Sequence, residues 1–463
     1  MPVAALPRST PTAQGVASSG VLALLDALDA APDVELHSLM LLRHGQVVAE
    51  GWWHPYAPDQ PHLLYSLSKS VTATAAGLAA AEGLLSFDDP VVAHFPELAD
   101  AAVAPWSRAM RVRHLAAMAT GHREDTWERM RRQDRAEPVR AFLSIAPDAE
   151  PGSLFAYNNG ATYVLAALVQ RVTGEPLSRY LQPRLFDPLG IDPPFWHSHP
   201  PERELGFSGL HLRTGDLARF GQLYLDDGVV AGSRLLPEGW VAEATALHTP
   251  NPAEPNPDWQ QGYGYQFWRS RHGYRGDGAY GQFCLVLPEQ DTVLVTTAQT
   301  ENMQAVLDAV WAHLLPALGA APTRGRDSEL ADRLATAALP TTGDGLVGST
   351  LPEAAATFVV RGVEDDPAGG WRVRLADARQ EVTFSCGDGA WSATTCTLED
   401  GRQQALAATG TATAGRLVLE VAFVQTPHRL VLEVDRATLS TVGRWLTVPL
   451  HPPTLAGLAV RTG

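Results

Sequence analysis

Apolar positions run through Leu36-His37-Ser38-Leu39-Met40-Leu41-Leu42-Arg43, break at His44-Gly45, and resume through Gln46-Val47-Val48-Ala49-Glu50-Gly51-Trp52-Trp53. Two such runs around a short turn predict a β-hairpin over 36–53. The pattern then changes. From Ser68 to Glu82 the chain is rich in Ala, Leu and Val and stops at Gly83, which predicts a helix ending on its glycine. Residues 100–250 carry helical patterns with long connections, among them 161–172 before Gly174 and 215–226 before Gly228. Strand patterns return at 262–269, 281–287 and 292–297, followed by a helix over 303–315 with Val306, Val310 and Leu314 on one face. Strands at both ends of a helical middle predict one sheet built from the two ends, with a helical lobe inserted between them.

Near 316–348 the composition turns to Ala, Pro, Thr and Gly around a short helical piece at 327–338. Beyond it come short strand patterns at 356–363, 371–375, 381–386, 391–398, 416–423 and 429–434, separated by turns such as Gly387-Asp388-Gly389 and Asp400-Gly401. The expected organisation is a first domain over 1–325, a linker over 326–345 and a small all-β domain over 346–463, an antiparallel barrel or sandwich. The fold class is α/β in the α+β sense.

Composition narrows the function. With 463 residues, 45% hydrophobic and 19% charged, the chain is of the ordinary globular kind. A net charge of −16 argues against a nucleic-acid partner, which needs a basic face. No stretch has the length and apolarity of a membrane span, and the first twenty residues lack the pattern of a secretory signal, so the expected location is cytoplasmic. Cys284, Cys386 and Cys396 are too few for a disulfide framework, although Cys386 and Cys396 could face each other across a hairpin. No Cys/His spacing predicts a metal site, and His197-Ser198-His199 is expected as two solvated loop histidines. No cofactor is implied.

The chemistry gathers around one residue. Lys69 is the only lysine, beside 34 arginines. Arginine can replace lysine where charge alone is needed, but not where an amine must lose its proton. Lys69 stands in Ser66-Leu67-Ser68-Lys69 at the start of the expected helix, so both side chains share a face one turn apart. Serine needs a base to become a nucleophile. About ninety residues later Tyr157-Asn158-Asn159 precedes another helix, offering a phenol as second base or relay and an amide to orient the lysine. An ammonium beside that phenol would favour phenolate.

These segments resemble the penicillin-recognising serine hydrolases of the class C β-lactamase type, which include D,D-peptidases, carboxylesterases and amidases of linear oligomers. The resemblance runs from Tyr65-Ser66-Leu67-Ser68-Lys69-Ser70 and Glu82-Gly83-Leu84-Leu85 through Asp88-Asp89-Pro90, Thr120-Gly121-His122 and Phe155-Ala156-Tyr157-Asn158-Asn159 to Asp216-Leu217-Ala218-Arg219-Phe220-Gly221 and Gly281-Gln282-Phe283, covering roughly 35–315. It implies a β-lactamase/transpeptidase-like antiparallel sheet flanked by helices. It also implies Ser66 as the acylated nucleophile, Lys69 as its proton acceptor, Tyr157 as base or relay, and Asn159 as a substrate contact. The family's third box, Lys-Thr-Gly or His-x-Gly, falls on Gly276-Asp277-Gly278, so its opening cation is absent. That favours the esterase and amidase branch over β-lactam hydrolysis, unless Arg271, His272 or Arg275 supplies the charge. The implied oxyanion hole is the N–H pair of Ser66 and Ala279.

The expectation is a serine hydrolase of small-molecule esters or amides, with a β-lactamase or D,D-peptidase as the alternative and a non-catalytic binding protein as the second. His114, His122 and Trp127 are candidates for the cleft or for packing. No G-x-S-x-G elbow is present: Gly206-Phe207-Ser208-Gly209 has the wrong spacing.

Overall fold

The computed structural model describes residues 5–321, 325–342 and 356–460. The expected hairpin forms as β1 (Glu35–Arg43) and β2 (Gln46–Trp52). His44 and Gly45 between them take φ of 50° and 70°, the twist that a tight hairpin turn needs. Four later strands complete the sheet: β3 (Trp268–Arg269), β4 (Tyr274–Gly278), β5 (Gln282–Leu287) and β6 (Thr292–Gln299). The order is β2-β1-β6-β5-β4-β3, antiparallel throughout, so the two chain ends meet where β1 pairs with β6. Leu39 and Leu41 of β1 enter one core while Met40 and Leu42 enter another, because both faces of the sheet are covered.

The helix α1 (Ser18–Ala30), which has no counterpart in the expected elements, covers one face and buries Leu22, Leu25 and Leu28. On the other face lie α2 (Ser68–Ala81), α3 (Asn159–Thr173) and α4 (Thr214–Leu225) with the shorter helices of the inserted lobe. Every residue of α2 from Ser68 to Ala79 is buried. Its small side chains permit this: a Cβ on Gly77 would lie 2.6 Å from the Trp240 ring. The expected strand over 262–269 shrinks to two residues, since Gly262 (φ 95°) and Gln266 (φ 61°) both leave the extended region.

The helix α5 (Met303–Ala309) continues as a π turn over Val310–Leu314 and packs with α1. Within 326–345, α6 (Arg326–Ala335) lays Leu330 and Leu334 against β2. Among the described residues the C-terminal unit has eight strands: β7 (Val359–Asp365), β8 (Trp371–Ala376), β9 (Glu381–Asp388), β10 (Ser392–Thr397), β11 (Gln403–Thr413), β12 (Arg416–Ala422), β13 (Arg429–Asp435) and β14 (Thr441–Trp445). They follow the order β7-β8-β9-β11-β12-β13-β14, with β10 beside β11, around their own apolar core. Cys284, Cys386 and Cys396 are free thiols, so no disulfide joins Cys386 to Cys396.

The unit is seated on the first domain. The Tyr56 hydroxyl donates to the Thr426 carbonyl at 3.1 Å, Leu63 N–H to the Gln425 carbonyl at 2.9 Å, and the buried Arg429 pairs with Glu35. Ala407, Ala422 and Val424 join the core beneath the sheet. His197, expected in solvent, packs its ring against His211 and His451, and His199 packs edge-on against Trp127. Both are drawn inward because the 195–211 segment lies under neighbouring elements.

Candidate active site

Ser66 occupies a 3-10 turn, Tyr65–Leu67, that runs directly into α2, so Lys69 stands one turn along. The turn is strained: Tyr65 holds φ at 48°, a left-handed value unfavourable for a bulky side chain. Its hydroxyl anchors it by donating to Nε2 of His428 at 2.5 Å, while His428 Nδ1–H is committed to the Thr447 carbonyl at 3.1 Å.

Lys69 is 1% exposed, and its Nζ has three partners: Ser66 Oγ at 2.9 Å, Asn159 Oδ1 at 2.7 Å and the Phe207 carbonyl at 3.0 Å. The last two can only accept. A neutral amine has two N–H groups to meet them and one lone pair, which then faces the Ser66 hydroxyl. Burial, working against the nearby charges of Asp125 and Asp277, brings the Lys69 pKa down from 10.5 to about 7. The amine is therefore available as a base near neutrality.

Asn159 is aimed by Asp125, which accepts from its Nδ2 at 2.7 Å and from its backbone N–H at 2.9 Å. That leaves Asn159 Oδ1 free to face the lysine. Asp125 has no counterpart among the sequence candidates; the only trace of it was its place between Gly121-His122 and Trp127 in a polar turn.

Tyr157 stacks on Trp268 (5.3 Å between centroids, 18° between planes), lies beneath the lysine with Nζ 4.7 Å from its ring centre, and lines the same cavity as Ser66. Burial, and then the charge of Asp277, push its pKa up, so it is a phenol rather than the phenolate an adjacent ammonium would favour.

Gly276, Asp277 and Gly278 lie on β4, which packs against the Ser66 turn. Gly276 and Gly278 are spacers: a Cβ would stand 2.8 Å from Ser70 Oγ at the first and 2.0 Å from the Leu64 carbonyl at the second. Only glycine lets β4 come this close. Asp277 and Ala279 line the same cavity of about 1560 Å³ as Ser66, Tyr157 and Asn159. Asp277 pairs with Arg275 at 2.9 Å, and burial raises its pKa against that guanidinium. Arg275 is fully buried, donates also to Ser270 Oγ at 2.6 Å, and lies over the Trp259 ring. Arg271 pairs with Asp258 and Asp308. Neither guanidinium replaces the missing cation, and His272 packs toward Trp311.

His122 is buried between Thr120 and the Ile145 carbonyl, and His114 Nδ1 accepts the Arg111 N–H at the start of a short helix; both are packing residues. Among the described residues no cluster of His, Cys, Asp or Glu could hold a metal ion, and no helix is long and apolar enough to cross a membrane.

A serine, a buried amine, a phenol and an amide converging on one cleft beside an antiparallel sheet define a class. The Beta-lactamase family model matches residues 23–317, and the chain belongs to that family. It is a serine hydrolase of ester or amide bonds. It is 30% identical over 292 residues to the 6-aminohexanoate-dimer hydrolase of Paenarthrobacter ureafaciens, covering 56% of this chain and 71% of that protein. A structure from Bacillus anthracis described as a 6-aminohexanoate-dimer hydrolase superposes with a TM-score of 0.55 at 21% identity, over 69% of this chain and 88% of that one. The structure of SurE superposes with a TM-score of 0.51 at 20% identity over 92% of this chain and 98% of its own, a span that must include most of the C-terminal unit.

Proposed function

We propose that the protein cleaves carboxylic esters or amides of small molecules through an acyl-enzyme on Ser66, with no cofactor. The observation that carries this is the buried Lys69 amine, whose Nζ lies 2.9 Å from Ser66 Oγ and is held there by the Asn159 Oδ1 and Phe207 carbonyls. Lys69 takes the hydroxyl proton as Oγ bonds to the substrate carbonyl carbon. The oxyanion is held by the N–H groups of Ser66 and Ala279. Tyr157, a phenol lining the cleft with Ser66, hands its proton to the departing alkoxide or amine and is reprotonated from Lys69. Water then attacks the acyl carbon, its proton returns through the same pair, and the acid leaves as Ser66 regains its hydrogen. Asn159 donates to or orients the substrate beside Lys69.

Charge narrows the substrate. Six carboxylates and two guanidiniums line the cavity; Arg333 pairs with Asp29, Arg429 with Glu35 and Asp277 with Arg275, which leaves the carboxylates of Asp33, Glu254 and Glu301 outside any ion pair among the described residues. A substrate carrying a free carboxylate meets repulsion there, so neutral or cationic esters and amides fit better than β-lactams or D,D-peptides. Three free thiols suit a reducing compartment, which supports a cytoplasmic location.

The test is intact-mass detection of a covalent adduct across esters, amides and lactams. We expect an adduct from the first two that disappears in Ser66→Ala. A fully active Ser66→Ala protein rejects the reading, and rapid turnover of a chromogenic cephalosporin moves it to the β-lactamase alternative.

A further inference from the structure

The segment 446–451 lies far along the chain from the Ser66 turn, yet its backbone bonds the hydroxyls of two tyrosines that flank the proposed oxyanion-hole residues. Leu450 N–H donates to the Tyr65 hydroxyl at 3.3 Å, and Tyr65 is the residue before Ser66. The Tyr280 hydroxyl donates to the Val448 carbonyl at 2.5 Å, and Tyr280 is the residue after Ala279. The His451 ring stacks on Tyr65 (5.5 Å, 8°), and its Nε2 lies 2.8 Å from Ser208 Oγ. This segment is clamped, not loose.

Its side chains then acquire a fixed place on the wall of the cleft. Leu446, Thr447 and Leu450 line the cavity that contains Ser66 and Ala279. Leu450 is 66% exposed, an unusual state for a leucine whose backbone is pinned. Unlike the exposed Leu247, which lies outside the cavity, Leu450 holds its apolar area on the wall of the cleft, where a bound substrate would cover it.

We propose that Leu450, supplied by the C-terminal β unit, is a specificity-determining residue that forms the wall of a subsite for an apolar substituent next to the scissile carbonyl. The proposal rests on the Ser66 hydrolase reading and adds a substrate class to it: esters or amides with an alkyl or aryl group beside the cleaved bond. It also makes the C-terminal unit part of the cleft rather than an appendage.

The experiment compares kcat/KM for esters of increasing chain length, acetyl to hexanoyl on the acyl side and ethyl to hexyl on the alcohol side. The proteins are the unaltered chain, Leu450→Ala and Leu450→Glu. The preference for the longer chain in one series should fall roughly tenfold in Leu450→Ala, mainly through KM, and further in Leu450→Glu. Leu247→Ala, an exposed leucine outside the cavity, should leave the preference unchanged. Thermal melting checks that the variants fold, which an exposed side chain permits. Fluorophosphonate labelling of Ser66 is followed in each. Labelling with unaltered preference in both Leu450 variants overturns the subsite and leaves the hydrolase reading standing. No labelling of the unaltered protein overturns both.

Discussion

At pH 7 close to half of the Lys69 side chains are neutral, since burial holds the pKa near that value. If the neutral amine removes the Ser66 proton, kcat/KM for an activated ester should rise about tenfold per pH unit below 7 and level off above it. Lys69→Arg keeps the charge but cannot accept a proton, and should lose roughly 10²–10⁴ in kcat together with the inflection. The same pKa has a consequence for stability. Between pH 7 and 10.5 the unfolded chain carries the lysine proton and the folded chain does not, so stability rises with pH across that window and the burial cost is fully present below it. At about 1.36 kcal/mol per pH unit, the drop from 10.5 to about 7 costs on the order of 4 kcal/mol at neutral pH. The three hydrogen bonds of the amine offset part of this, at about 1 kcal/mol each. Lys69→Met should thus be inactive yet equal in stability to the parent, or about 1–2 kcal/mol more stable, at pH 7, and the difference should shrink as the pH approaches 10. Urea unfolding of both proteins at pH 6, 7, 8.5 and 9.5 measures it. A rate inflection near 10, or a stability difference that does not vary with pH, would refute a desolvated, largely neutral lysine.

Asp125→Asn loosens the Asn159 amide and removes a charge that raises the Lys69 pKa, so kcat should fall at least about tenfold while the acid limb of the pH–rate profile moves to lower pH; an unmoved limb contradicts the coupling. Gly278→Ala places a Cβ 2.0 Å from the Leu64 carbonyl and should destabilise by about 1–3 kcal/mol with loss of activity, read by denaturant midpoint and ester turnover; a normal midpoint would show that β4 does not approach the turn this closely. Around the domain junction histidines 37, 62, 211 and 428 are buried and 197 and 451 half-buried, and desolvation depresses their pKa values, to about 3 for His211 and His428 and about 4 for His451. The unfolded chain protonates them near 6.5 and the folded chain does not, so stability is present above that pH and falls steadily from 6.5 toward 4. Melting temperatures that are flat over that range would mean the junction admits charge.

Local pattern made much of the molecule legible. The 36–53 hairpin, the helix after Ser66 and the strands from 281 onward follow from side-chain periodicity and turn residues that act within a few positions, and the Ser66/Lys69 spacing places both groups on one helical face without further information. Among the elements left unread, β11 has only Leu406 amid Ala, Thr, Gly and Gln and becomes a strand because β10 and β12 pair with it, whereas α1 carries a readable helical spacing in Val21, Leu22, Leu25 and Leu28 that the sheet then buries. The site divides the same way. The chain order alone named Ser66, Lys69, Tyr157 and Asn159 as chemically apt residues. Packing alone determined that the amine is dry, that Tyr157 keeps its proton, that Arg275 is consumed by Asp277, and that residues 446–451 return to wall the cleft. Protonation and access depend on what surrounds a group in space, and that surrounding is assembled from segments hundreds of residues apart.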